Sequence, residues 1–307
     1  MMFFIKKKMK FSIQIFLTTL FLLAFNTQAA MLSSKSADNT KIEILVTTFP
    51  DFYPFGYNRL GARNMMESHS VFENVLEKML AGDTYLMRYK PYDDTKKALS
   101  DVRLGKADMF LGMYYSTKAF EGIDFVFPAA LNNPVHLMMM PDKISLIKNT
   151  QDLEKLKGIY SSEEYFSDFM IQNLKNLNVQ AVETTDKAYE MLMTGQADFI
   201  VGSYYYNYAK ILEKGLKGYI SFSSKPLWSM PLFIGLSKTY KNRKAVKAHL
   251  ERILNKPEFK QTVLSDLKEN MRLLEETTQG IVAPLYVRKS LENELTPADE
   301  MQDGGNK

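Results

Sequence analysis

The chain has 307 residues, 46% of them apolar and 24% charged, a globular composition with room for one large domain or two smaller ones. Its net charge of +4 comes from Lys6, Lys7, Lys8 and Lys10; beyond residue 30 the chain balances 35 basic against 35 acidic residues and lacks a nucleic-acid binder's footprint. Cysteine is absent, which excludes disulfides, thiol nucleophiles, thiolate metal sites and lipid attachment through sulfur, while His69, His136 and His249 offer no zinc or triad spacing.

Residues 6–10 (KKKMK) form a basic n-region, residues 11–25 an apolar stretch, and Asn26-Thr27-Gln28-Ala29-Ala30 supplies small residues for a signal peptidase. A stretch of fifteen residues falls short of the roughly 20 that span a bilayer. The expectation is a cleavable signal peptide over 1–30, a mature chain starting near Ala30 or Met31, and a periplasmic protein; an uncleaved anchor is the competing reading. Residues 31–40 read as a polar leader.

Residues 41–48 (KIEILVTT) make a β-branched run that predicts a buried strand, and residues 49–57 (FPDFYPFGY) a loop dense in aromatics and proline. Apolar spacing of three and four predicts a helix over 70–81, stopped by Gly82. A strand at 85–89, a helix at 94–104 and a short strand at 109–112 follow. Alternating strands and helices indicate an α/β architecture with largely parallel sheets.

An internal repeat organises the rest: 105–115 read GKADMFLGMYY and 195–205 read GQADFIVGSYY. Each is preceded by a strand, an acidic turn and a helix, so one supersecondary unit occurs twice. Each unit ends in Gly-x-Tyr-Tyr at a strand's carboxyl end, where ligands of open α/β sheets bind. The expectation is two similar lobes in separate sheets, their tyrosines facing across a cleft. Residues 124–134 and 225–231 look like the passages between lobes, and 242–276 like helix broken near Pro257. Lobe 1 would then comprise 41–132 and 230–276, lobe 2 residues 133–229, with a disordered tail at 296–307.

These features resemble the periplasmic solute-binding proteins of amino-acid ABC transporters, extracellular solute-binding family 3, over most of residues 41–275. The residues concerned are Tyr53-Pro54-Phe55, Leu104-Gly105-Lys106-Ala107-Asp108 with Gly112-Met113, Asp124-Phe125 with Pro128, and Asp152-Leu153 with Lys157-Gly158. The resemblance implies a two-lobed periplasmic-binding-protein fold of type II: two α/β lobes, a two-segment hinge and a ligand cleft between them. It also implies where the pattern is broken. Ala119 stands where amino-acid binders carry the arginine that clamps the ligand carboxylate, and Ser203 where they carry the aspartate for its amino group. Lys118 or Arg59 is the alternative clamp.

Candidate ligand-binding residues are Phe52, Phe55, Tyr114, Ser116, Ser161, Ser162, Ser203 and Tyr204. Ser161-Ser162 before Glu163-Glu164 read first as a helix N-cap, with a functional version in which that helix end donates N–H groups to the ligand. Asp108 and Asp198 read as backbone-satisfying aspartates, not a catalytic pair. Met138 to Met140 read as core, His136 as a hinge hydrogen-bonder, and Trp228 as hinge packing or a cleft lid. Asp51, Glu67, His69 and Glu163 are the acid–base candidates, in no recognisable constellation. The expected protein is a non-enzymatic, monomeric binder of a small molecule that uses no cofactor, metal or nucleic acid and delivers its solute to an inner-membrane ABC permease. A cyclohexadienyl-dehydratase-like enzyme on the same scaffold and a ligand-sensing partner of a membrane receptor are the alternatives.

Overall fold

The computed structural model describes residues 41–60, 66–80, 85–115, 121–145, 147–164, 167–177 and 179–284. The expected signal peptide, the polar leader and the tail at 296–307 lie outside these. Two compact units are distinguished. The smaller contains, among described residues, only the strand ends 41–42 and 85–86; the larger holds all the others.

The chain opens with β1 (Ile42–Thr47), whose Ile44 and Val46 are buried. The aromatic segment that reads as a loop instead starts a small antiparallel sheet of β2 (Asp51–Phe52), β3 (Gly56–Leu60) and β4 (Met66–His69). Helix α1 (Val71–Leu80) buries Val71, Phe72, Val75, Leu76 and Leu80 on one face, as its spacing requires. Then come β5 (Tyr85–Tyr89), α2 (Thr95–Arg103) and β6 (Met109–Tyr114).

The expected first passage, 124–134, lies within β7, one strand of 17 residues (Ile123–Met139). The second half continues with α3 (Pro141–Ile144), β8 (Gly158–Ser161), α4 (Asp168–Asn176), β9 (Val179–Val182), α5 (Thr185–Met193) and β10 (Phe199–Ser203). After α6 (Tyr204–Glu213) and β11 (Ser221–Phe222), β12 (Trp228–Ser237) returns the chain beside β7. Helices α7 (Arg243–Leu254) and α8 (Pro257–Thr277) finish it, divided at Pro257 as expected.

The repeat is physical. Asp94 caps α2 by accepting from Lys97 N, and Thr184 caps α5 by accepting from Lys187 N. Each helix ends on a glycine in the left-handed region, Gly105 (φ 73°) and Gly195 (φ 70°). The next two amides return to one carbonyl, of Asp101 in the first unit and of Met191 in the second. Asp108 Oδ2 then accepts from Leu45 N and Asp198 Oδ2 from Lys157 N, both at 2.8 Å, so each aspartate ties its strand's entry to the parallel neighbour.

The main sheet runs β5-β1-β6-β12-β7-β10-β8-β9, with β11 beside β7. β6 lies between parallel β1 and antiparallel β12; β10 lies between parallel β8 and antiparallel β7. The expectation of two separate sheets is therefore corrected: both units sit on one hydrogen-bonded path. The reason is the β7–β12 ladder, which continues through the crossover past a register shift between Leu232 and Ile234, pairing Leu131 with Leu232, Asn133 with Met230 and Val135 with Trp228. The two halves of the sheet are joined by those two strands.

A further connection was not legible in the sequence. α8 buries Phe259, Val263, Leu267 and Met271 and packs on α1 and α7 in the first half. Its far end reaches the second half, where Glu275 accepts from the Tyr208 hydroxyl and pairs with Lys217 at 3.3 Å. Ala283 joins the core around Tyr189, Leu192 and Leu216.

Candidate functional site

The site forms where the strand ends of the two halves meet. β6 ends in Tyr114, whose hydroxyl accepts from Asn133 Nδ2 at 2.7 Å. β10 ends in Ser203, which stands at the N-terminus of α6. Alternation along an extended strand would send neighbouring tyrosines to opposite faces. The chain turns helical at Tyr204 instead, so Tyr204 and Tyr208, one turn apart, stack with ring centroids 5.6 Å apart and 8° between planes. The spacing of Tyr206, Ala209 and Leu212, all buried, is the sequence signal that could have revealed this helix.

The β2–β3 turn carries Phe52 and Phe55 to this place. Phe52 lies 6.0 Å from Tyr114, 5.5 Å from Phe55 and, across the halves, 5.6 Å from Tyr206. Phe55 meets Tyr205 edge-on at 5.7 Å. These centroid distances are van der Waals contact between rings. At the rim, Asp51 and Lys210 form an ion pair of 3.0 Å across the halves, and the ammonium lies 5.6 Å from the centre of the Tyr206 ring. Burial lowers the Lys210 pKa, but the Asp51 and Glu213 carboxylates outweigh it and the net direction is upward.

Beneath the tyrosines sits a buried carboxylate that sequence reading missed. Glu164 Oε1 accepts from Ser203 N at 2.6 Å and Oε2 from Asn207 Nδ2 at 2.9 Å. Tyr189 donates to Asn207 Oδ1 at 3.0 Å. Burial pushes the Glu164 carboxyl up to about 7, against the pull of its donors at Ser203 and Asn207. Gly202 leaves the room: a Cβ there would stand 2.3 Å from Asn207 Nδ2 and 2.8 Å from Glu164 Oε2. A second chain of hydroxyls runs from Tyr206 to Thr185 (3.2 Å) and on to Ser161 (3.0 Å).

The expected residues thus fall into three groups. Phe52, Phe55, Tyr114 and Ser203 are brought together, with Tyr205 and Tyr206 added. Tyr204 lies against His136, Phe222 and Tyr208 and meets Tyr205 edge-on at 5.2 Å. The N-cap reading of Ser161-Ser162 is overturned: no helix begins there, because Glu164 turns inward to Ser203 and Asn207 and Glu163 outward to accept from Thr185 N. The nearest helix starts later, capped by Ser167. Ser161 remains buried, bonded to Thr185; Ser162 is exposed. Ser116, Lys118 and Ala119 lie outside the described residues. Arg59 donates to His69 Nε2 at 3.0 Å on the small sheet.

The acid–base candidates do not converge. Asp51 pairs with Lys210, Glu163 holds the start of α5, and Glu67 and His69 form a cluster with Arg59 and Glu73. Burial raises Glu73 to about 7 and lowers His69. Among the described residues no group of three or more His, Asp or Glu is arranged to hold a metal ion. His136 bonds the Ser223 carbonyl at 2.8 Å, and Trp228 pairs with Val135 in the crossover ladder. A recess of about 380 Å³, lined by Met139, Lys143, Ile147 and Leu156 among others, lies at the opposite, amino ends of β8 and β10.

Two buried polar atoms at the crossover lack a well-formed hydrogen bond. They are Asn133 Oδ1, beside the Tyr114 hydroxyl, and Ser203 Oγ, beside Glu164. Such atoms cost free energy unless something else satisfies them.

No protein-family model and no curated protein matches this chain. Solved structures do. An amino-acid ABC transporter substrate-binding protein from Streptococcus pneumoniae, bound to L-arginine, is 14% identical, with 76% of this chain and 95% of that chain covered at a TM-score of 0.56. The GluR0 ligand-binding core with L-glutamate is 12% identical over 74% and 99%, TM-score 0.57. The periplasmic VFT2 domain of BvgS from Bordetella pertussis is 13% identical over 74% and 92%, TM-score 0.56. At these identities the likeness establishes the fold: two α/β lobes joined by two hinge strands, the type II periplasmic-binding-protein fold.

Proposed function

We propose that this chain is an exported solute-binding protein whose lobes close by hinge bending on a small molecule and present it to a membrane ABC permease. The observation that carries this reading is the aromatic seam: Phe52 and Phe55 from one lobe lie on Tyr206 and Tyr205 of the other, near two buried polar atoms that lack a well-formed hydrogen bond among the described residues. A solute entering there would part the rings and break the Asp51–Lys210 pair. The leader pattern of residues 1–30 supports export. The lobes divide near Asn132-Asn133 and Met230, where the two hinge strands pair. The protein acts as a monomer and performs no chemistry, a reading supported by the scattering of its acid–base groups.

The solute is aromatic, heterocyclic or cationic, not an ordinary amino acid. Each charge-assisted hydrogen bond to a ligand ion contributes about 1.5–3 kcal/mol. Replacing both charged anchors, by Ala119 and by Ser203, would weaken zwitterion binding by roughly two to four decades. Ser203 N is already committed to Glu164, which leaves a neutral hydroxyl where a carboxylate would be needed. Tyrosine faces suit flat solutes, and cations over a ring. A thermal-shift screen of the purified protein against the amino acids and a metabolite panel tests this. The expected hits are aromatic or cationic metabolites; strong stabilisation by a common amino acid at micromolar concentration would overturn the solute class.

A further inference from the structure

Three loops meet at the amino end of β6, away from the cleft: residues 103–106, 121–124 and 237–244. They are packed closely. Lys238 N donates to Gly122 O at 2.9 Å and Ser237 N to Asp108 O at 2.8 Å. A Cβ on Gly105 would stand 2.1 Å from Thr239 Oγ1, and one on Gly122 2.8 Å from Arg103 Cβ. Together the loops carry six cations, Arg103, Lys106, Lys238, Lys241, Arg243 and Lys244, against two acids, Glu121 and Asp124. This surplus stands out in a chain that beyond residue 30 has no net charge.

Ion pairs account for some of these charges and leave others. α7 starts inside the patch with no acidic residue in its first turn and no side-chain cap, so Arg243, Lys244 and Lys247 lie at the positive end of its dipole. Asp124 serves both Arg243 and Lys247, and Glu121 is already held by Arg103. Lys106 shares Asp101 with Lys90 and Lys97, at 3.9, 3.6 and 3.8 Å. Among the described residues, Lys241 and Lys244 make no ion pair. In their midst Leu104, the residue after α2, is 63% exposed.

We propose that this pole docks on a membrane surface rich in anionic phospholipid. Long lysine side chains can reach phosphates while a single leucine enters the headgroup boundary, and neither needs a shaped partner. A protein partner would call for a packed apolar centre, and among the described residues of the pole Leu104 is the one large apolar side chain that stands exposed. Register places the pole away from the cleft: Met109 pairs with Leu236 at one end of β6 and Tyr114 with Leu232 at the other. The five residue steps between them span roughly 16 Å. Docking therefore leaves the cleft accessible, and the inference stands independently of the solute.

The test is hydrogen–deuterium exchange of the full chain on phosphatidylcholine vesicles with and without phosphatidylglycerol. Residues 11–25 would bring the chain to either vesicle, so the measurement must be read segment by segment. Protection of 103–106 and 237–244 is expected only with phosphatidylglycerol, and is expected to vanish at high salt. The triple variant Lys106→Gln, Lys241→Gln and Lys244→Gln should lose at least about tenfold in that site's occupancy. Lys143→Gln, Lys155→Gln and Lys175→Gln, an equal charge change elsewhere, should leave it unaltered. Equal protection on both vesicles, equal loss in the control variant, or protection by soluble polyglutamate in place of the vesicles would overturn the proposal, the last in favour of an acidic protein.

Discussion

Glu164 and Glu163 are adjacent and chemically identical, yet they serve different elements. Glu163 is exposed and holds the first amide of α5; Glu164 is buried and holds Ser203 and Asn207 under the tyrosine turn. A carboxyl raised above its ordinary value of 4.5 to about 7 keeps its proton more tightly when folded than when unfolded. Its contribution to stability is therefore full below pH 4.5 and declines as the pH rises to about 7, by an amount on the order of 3 kcal/mol. Glu164→Gln should flatten that slope. Urea unfolding of the variant and the parent from pH 4 to 8 checks it: the difference between their stabilities should change across this range, and a constant difference would show that Glu164 ionises as an exposed glutamate does.

Among the elements, the helix–glycine–strand unit was legible twice because its chemistry is local. A cap, a left-handed glycine and an aspartate facing the neighbouring strand all lie within about twenty residues of sequence. α8 was only half legible. Its apolar positions 259, 263, 267 and 271 mark one buried face, but nothing in the sequence says that Glu275 meets Tyr208 or that Ala283 enters the opposite core. Through these contacts the chain connects the two halves a third time, beyond the two hinge strands. The Tyr208 hydroxyl and Lys217 hold the Glu275 carboxyl below its ordinary range. Small-angle scattering of Tyr208→Phe with Lys217→Ala should show a larger radius of gyration than the parent; an unchanged radius would mean that the third crossing does not limit opening.

For the molecule as a whole, the seam between lobes is made of rings and one rim ion pair. Phe52 and Tyr206 come from residues far apart in the chain, and their contact is a property of the closed arrangement. A double-mutant cycle on Phe52→Ala and Tyr206→Ala, read by urea unfolding, should give a favourable coupling of about 0.5–1.5 kcal/mol. A coupling near zero would place the rings apart in solution and the resting molecule open. The Asp51–Lys210 pair is exposed on its acidic side and should add little, and less as salt rises.

By itself the sequence determined the leader pattern, the α/β alternation, the repeat, the break at Pro257 and the candidacy of Phe52, Phe55, Tyr114 and Ser203. These follow from periodicity, capping and turn chemistry, which act over a few residues. The tertiary structure decided the rest. It made the Phe49–Tyr57 stretch part of a small sheet, carried β7 unbroken through the crossover, turned the tyrosines after Ser203 into a helix and chose Glu164 over Glu163 for the interior. Each of these is fixed by partners distant in sequence: an unpaired strand edge that β12 completes, a buried amide that needs an acceptor, and rings that find rings across the hinge. Local patterns are alike whichever partner arrives, and only the assembled fold selects between them.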